Sequence, residues 1–235
     1  MAFALERRAA MGPLGGVVLL LTAAHVRIAG SNGPSHVWWP EREAAPTQTV
    51  AYVHGYFDDV DEAWAAHGLA SQFERSGVNA VFILPEAPTG PNKPVNYPHV
   101  ERLLDEVDHG LGWKVPRKEL LALGHSGGYR TLKAWTRSAL LRRVVLLDAF
   151  YGEAATWAKW LDGDARHRLL IVAAITRRRS EPWAVKRGAV SLTLASLAEG
   201  GWPEKNIVHL PVDVGHMEVV TDGEVIHQVV RRGAR

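Results

Sequence analysis

Short runs of Val, Ile and Leu alternate along the chain with longer segments in which apolar residues recur every three or four positions. The short runs occupy residues 49–53, 80–84, 120–123, 144–147, 169–174 and 207–210. Runs apolar at nearly every position suit strands covered on both faces. The amphipathic segments at 61–75, 100–107, 128–141, 153–161, 184–198 and 223–232 suit crossover helices. That order predicts an α/β domain in which a mostly parallel sheet carries helices on both faces. Residues 30–46, rich in Gly, Ser, Pro and Trp, precede the first run and are assigned no strand. The Pro- and Asn-rich loop 85–98 follows a strand, at the sheet end where ligands bind.

The first thirty residues follow another pattern. Arg7 and Arg8 precede an apolar run at 14–24 that ends in small residues, the layout of a secretory signal. The alternative is an N-terminal strand, with residues 17–21 pairing at a sheet edge. The run is shorter than the ~20 residues needed to cross a bilayer, so no permanent membrane span is expected. Residues 31–235 then form one domain. A signal implies a periplasmic or secreted protein, and a strand implies a cytoplasmic one. Mass spectrometry of protein expressed with its native start decides between them: cleavage predicts a mature chain lacking residues 1–24, and an intact start in the exported fraction contradicts it.

Composition narrows the chemistry. With 235 residues, 47% of them hydrophobic, the chain is long enough to enclose a substantial core. The balance of 27 Lys and Arg against 25 Asp and Glu gives no basic surface that would imply nucleic acid as a partner. The absence of cysteine excludes a disulfide scaffold, a thiolate zinc site and a cysteine nucleophile. Covalent catalysis would need another residue.

That residue is offered by Gly124-His125-Ser126-Gly127-Gly128, which follows one apolar run and opens an amphipathic segment. With 22 glycines in the chain, chance supplies roughly 0.08 matches to Gly-x-Ser-x-Gly before any structural context is required. Glycines on either side let the backbone turn sharply and pass close to its neighbours, leaving Ser126 exposed as a nucleophile. A serine hydroxyl needs a base at neutral pH, and His216, after the last strand and before the last helix, is best placed. His125 is expected to point away and pack.

An acid should orient the base, in the chain order Ser, acid, His. Asp148 ranks first because it ends a buried strand, where a carboxylate needs a reason. Glu181 competes, but it has arginines beside it. Backbone amides of Gly127, after the nucleophile, and Tyr56, in the His54-Gly55 turn, are the candidate oxyanion donors. His54 is expected to brace that turn.

Together these residues resemble the α/β-hydrolase superfamily, in its serine-hydrolase branch with a His-Gly oxyanion loop, over roughly residues 49–232. The resemblance implies a mostly parallel sheet, a Ser/acid/His triad of Ser126, Asp148 and His216, no cofactor, no metal, and action on small-molecule or polymeric esters, less often amides. One departure is the missing Gly-x-x-Asp after residues 169–174, which moves the acid to Asp148. Only residues 151–168 are available for a cap, so the cap is minimal and the site open. An amidase or peptidase with the same triad, or a non-catalytic binding protein on this scaffold, are the alternatives. Asp58, Asp59, Asp61 and Glu62 suit a helix start better than a metal site. Arg177, Arg178 and Arg179 read as a solvated loop, with anion binding as the alternative. Most of the tryptophans are expected in the core, with Trp157 and Trp160 as candidates to line a substrate groove.

Overall fold

The computed structural model describes residues 22–200, 202–203 and 206–234. Arg7, Arg8 and the apolar run up to residue 21 lie outside them, and Thr22–Ala24, the end of that run, open the first strand. The strands are β1 (Thr22–Gly30), β2 (Gly33–Glu41), β3 (Gln48–Val53), β4 (Ala80–Pro85), β5 (Leu120–His125), β6 (Leu141–Leu147), β7 (Arg168–Ala173), β8 (Val190–Ser191) and β9 (Ile207–Pro211). They form one sheet in the order β1-β2-β4-β3-β5-β6-β7-β9-β8. β2 runs antiparallel to β1 and β4, while the pairs from β4 through β8 are parallel. All six runs singled out by hydrophobicity are strands.

Side chains alternate across the sheet, so each strand feeds two cores. Ala51, Val53, Ile83, Ala122, Val144, Leu146 and Ile171 point to one face. That face is covered by α3 (Val100–Leu111), α4 (Tyr129–Trp135) and α5 (Ala154–Gly163), through residues such as Leu103, Trp135 and Trp157. Val50, Tyr52, Phe82, Leu123, Val145, Leu147 and Val172 point to the other. Covering them are α1 (Val60–Ala66), α2 (Leu69–Ser76), α7 (Leu194–Gly200), α8 (Glu218–Thr221) and α9 (Val225–Gly233). The segment 151–168, read as the cap, carries α5, which buries Trp157, Trp160 and Leu161 against the first core. Trp157 is fully buried and does not line a groove.

Three helical segments differ from their hydrophobic pattern. The segment 61–75 is split because Gly68 adopts a left-handed conformation (φ 55°) between α1 and α2. The segment 128–141 ends as a helix at Trp135, where Thr136 Oγ1 donates to Lys133 O and a turn through Ser138 leads into β6. The segment 184–198 is interrupted by Gly188 (φ 70°) and β8, which leaves α6 (Arg177–Lys186) and α7 on either side. Arg177, Arg178 and Arg179 are therefore the exposed first turn of α6 rather than a loop.

β1 and β2 form an antiparallel hairpin that the apolar pattern does not mark. β2 is integral to the core: Trp38 is 4% exposed, with its ring 5.3 Å from Phe82 and 6.3 Å from Phe73. The hairpin is also bound to α1. His36 Nε2 donates to Asp61 Oδ1 at 2.8 Å, Arg27 pairs with both Asp61 oxygens at 2.7 Å, and Trp64 stacks on His25 and His36. The nearby Asp59 and Glu62 form a capping box at the start of α1. Trp38→Ala should destabilise the protein by about 3–5 kcal/mol, the usual cost of emptying a buried aromatic site. Urea unfolding measures this, and an unchanged midpoint would mean that the hairpin is dispensable to the core.

Candidate active site

The sheet's parallel strands end along one edge, and the candidate residues gather there. Ser126 follows β5 directly and has φ 47°, a conformation costly for a residue with a side chain. Close contact holds the turn in place. A Cβ on Gly128 would fall 2.6 Å from Val53 O, and one on Gly127 would fall 2.3 Å from the Tyr56 ring. Only glycine lets the elbow sit against the end of β3 and the Tyr56 ring together. The turn after β3 lies over the serine, since a Cβ on Gly55 would stand 3.0 Å from Ser126 Cβ.

His54 is fully buried within that turn. Its Nδ1–H donates to Gly55 O at 2.8 Å and its Nε2 accepts from Ala87 N–H at 2.9 Å, so it braces the turn against the loop after β4. Phe57 N–H donates to Thr89 O, whereas Tyr56 N–H makes no hydrogen bond among the described residues. Tyr56 and Gly127 are thus neighbours, with the Tyr56 ring on the glycine.

Asp148 ends β6 and is wholly buried, with φ 45°. Its Oδ1 accepts from Ala174 N–H at 2.9 Å, Thr176 N–H at 2.9 Å and Thr176 Oγ1–H at 2.7 Å. Its Oδ2 accepts from Ile175 N–H at 3.3 Å and from His216 Nδ1–H at 2.6 Å. Burial alone pushes this carboxyl up, but the bonds from His216, Thr176 and Ala174 outweigh it and hold the pKa at about 2. The carboxylate is charged, and it directs His216 Nδ1 to carry the proton, leaving Nε2 as an acceptor. Glu181 is instead half exposed on α6 and pairs with Arg177 at 3.4 Å.

His125 has a larger place than its sequence position suggested. It is buried, its ring centroid lies 4.6 Å from that of His216, and its Nε2–H donates to His216 O at 3.2 Å. The residue beside the serine therefore anchors the loop that carries His216. Tyr151, three residues beyond Asp148, faces His216 edge-on at 6.4 Å. Neither contact is visible in residue spacing, because each joins loops from different strands.

The rim is apolar. Phe57, Ile175 and Met217 are exposed large hydrophobic residues, and each adjoins a residue of the candidate constellation. Arg130, on α4, donates to Gly90 O at 3.3 Å, Pro91 O at 2.8 Å and Lys93 O at 2.9 Å, tying the Pro-rich loop to the helix behind the elbow. Among the described residues no cluster of three metal-ligating side chains occurs, and no helix is long and apolar enough to cross a membrane.

This geometry is carried on the α/β-hydrolase fold. The chain is similar to the feruloyl esterase module from Clostridium thermocellum complexed with sinapinate, at 12% identity over 98% of this chain and 94% of that one, with a TM-score of 0.57. It is similar to an S-formylglutathione hydrolase from Agrobacterium tumefaciens (12% identity, 97% and 99% covered, TM-score 0.54). An esterase from Pyrobaculum calidifontis also matches (14% identity, 90% and 85% covered, TM-score 0.55). At these identities the likeness is one of fold. No family model and no curated protein matches the sequence.

Burial, followed by the neighbouring His216 and His67 rings, holds the His125 pKa at about 3, and burial with His54 nearby holds His67 at about 4. Both histidines stay neutral in the folded protein at pH values where the unfolded chain, with His near 6.5, takes up protons. Their contribution to stability is complete above about pH 6.5 and is lost as pH falls towards 4 and 3. Burial lowers His36, His209 and His227 in the same direction. Urea midpoints should therefore fall steadily from pH 7 to pH 4.5, and a midpoint that stays level across this window would contradict the neutral burial of these rings.

Proposed function

We propose that the protein is a serine-dependent acyl hydrolase acting on carboxylic esters, with Ser126, His216 and Asp148 as its triad. The observation that carries the reading is the 2.6 Å bond from His216 Nδ1 to a fully buried Asp148, beside a serine held at φ 47° in a glycine turn. The fold of known esterases supports it.

The chemistry follows from the protonation states. Ser126 Oγ attacks the ester carbonyl carbon as its proton passes to His216 Nε2. The new imidazolium faces the charged Asp148, which stabilises it without accepting a proton. The carbonyl oxygen becomes an oxyanion, and the amides of Tyr56 and Gly127 are the proposed donors. Collapse expels the alcohol, protonated by His216, and leaves an acyl group on Ser126. Water, deprotonated by the same imidazole, then attacks the acyl carbon and releases the acid. His125 positions His216 through its carbonyl and touches no substrate.

A fluorophosphonate probe tests nucleophile activation without a choice of substrate. Labelling should map to Ser126 and disappear in Ser126→Ala and His216→Ala; a folded wild-type protein that remains unlabelled would sink the proposal. Asp148→Asn should lower kcat by roughly 10³–10⁴-fold, because an amide no longer favours the productive tautomer of His216. Steady-state kinetics on a p-nitrophenyl ester measures that effect, and retention of near wild-type kcat would remove Asp148 from the triad.

A further inference from the structure

Beside the catalytic edge, a cleft of about 780 Å³ opens between α4, α5 and the Pro-rich loop. It begins at Tyr129, whose ring lies 6.0 Å from that of Tyr151, the residue that faces His216. Its walls carry Arg130, Lys133, Arg137 and Lys159 against a single carboxylate, Glu153. Arg130, Lys133 and Arg137 are spaced three and four residues apart, which brings them to one side of α4 and its end. Like charges at this spacing repel, so the arrangement costs stability unless something anionic offsets it.

The four cations are not equivalent. Lys133 Nζ pairs with Glu153 Oε1 at 2.5 Å, and Arg130 is committed to the loop carbonyls. Arg137 and Lys159 are exposed and make no hydrogen bond or ion pair among the described residues. The field at a helix C-terminus accounts for a base at Arg137. It does not account for Lys159, which comes to the same cleft from α5. Part of the lining is aromatic: Trp160 and His167 stack at 4.3 Å, and His167 Nδ1–H is used on Trp160 O. Two free cations over an apolar, ring-lined surface match a ligand that is hydrocarbon along its length and anionic at its end.

We infer that this cleft binds a carboxylate on the part of the substrate remote from the scissile bond, so that the preferred esters are singly anionic. The inference rests on the hydrolase reading for its kinetics and on the cleft alone for its binding. Lys133 and Glu153 neutralise one another, which leaves Arg137 and Lys159 as two single charges that match the two oxygens of one carboxylate. The site requires a spacer long enough to pass Tyr151 and Tyr129.

Mono-p-nitrophenyl suberate and p-nitrophenyl octanoate share a chain length and differ in the terminal carboxylate. The wild-type ratio of their kcat/KM values should favour the suberate by about tenfold, the effect of one good charged contact. Arg137→Ala/Lys159→Ala should bring that ratio close to one. Lys118→Ala, which removes an exposed charge at the opposite end of β5, should leave it unchanged. Equal ratios in wild type and the double variant, with octanoate turned over, would overturn the cleft assignment while leaving the hydrolase intact. Calorimetric titration of monomethyl suberate into Ser126→Ala reads the cleft without turnover. Binding there that the double variant loses would support the site even if neither ester is hydrolysed, and an absence of binding would count against it.

Discussion

A single buried charge organises the sheet edge where the candidate residues gather. Asp148 has no access to solvent, and an unpaired carboxylate in that position would cost several kcal/mol. It is satisfied only because the chain after β7 turns so that the amides of Ala174, Ile175 and Thr176 face it, and because the loop after β9 brings His216 to its second oxygen. Three strand ends are thus held in mutual register by one side chain. The same bonds that make burial tolerable keep the carboxyl ionised, so the structural requirement and the electrostatic one are met together.

Backbone strain is concentrated in the same region. Among the described residues, those other than glycine with positive φ are Phe57, Ser126, Asp148 and Glu153. The first three lie in the turn after β3, the elbow after β5 and the end of β6, and the fourth borders the cationic cleft. Such conformations cost about 1–3 kcal/mol each and persist only where surrounding contacts over-determine them. The two-faced sheet supplies those contacts: nearly every residue of β3, β4 and β5 is buried.

What could be read from the sequence followed the range of the interactions. β3, β4, β5, β6, β7 and β9 are buried on both faces and announce themselves as apolar runs. β1 and β2 escaped notice because their patterns answer to other needs. In β1, His25 and Arg27 alternate with Ala24, Val26 and Ile28, and β2 mixes Pro34, Ser35 and His36 with Val37 and Trp38. The breaks at Gly68 and Gly188 were legible as glycines but not as left-handed turns, since a lone glycine is also tolerated within a helix. The turn at Ser126 could be read because it has a local grammar. The positions of Asp148 and His216 after strands could be read because each follows an apolar run. The anchoring of His216 by His125, and the amides that hold Asp148, arise from the approach of distant loops, and no local pattern encodes them.

The Arg130 clamp separates two kinds of freedom in the loop that borders the site. Within that loop its guanidinium reads only the carbonyl oxygens of Gly90, Pro91 and Lys93, groups that every residue possesses. Side chains there can diverge, while the path of the main chain stays tied to the helix that follows Ser126. The border of the site is in this sense a replaceable lining on a fixed frame, and grafted sequences that keep three carbonyls turned towards α4 can inherit its shape.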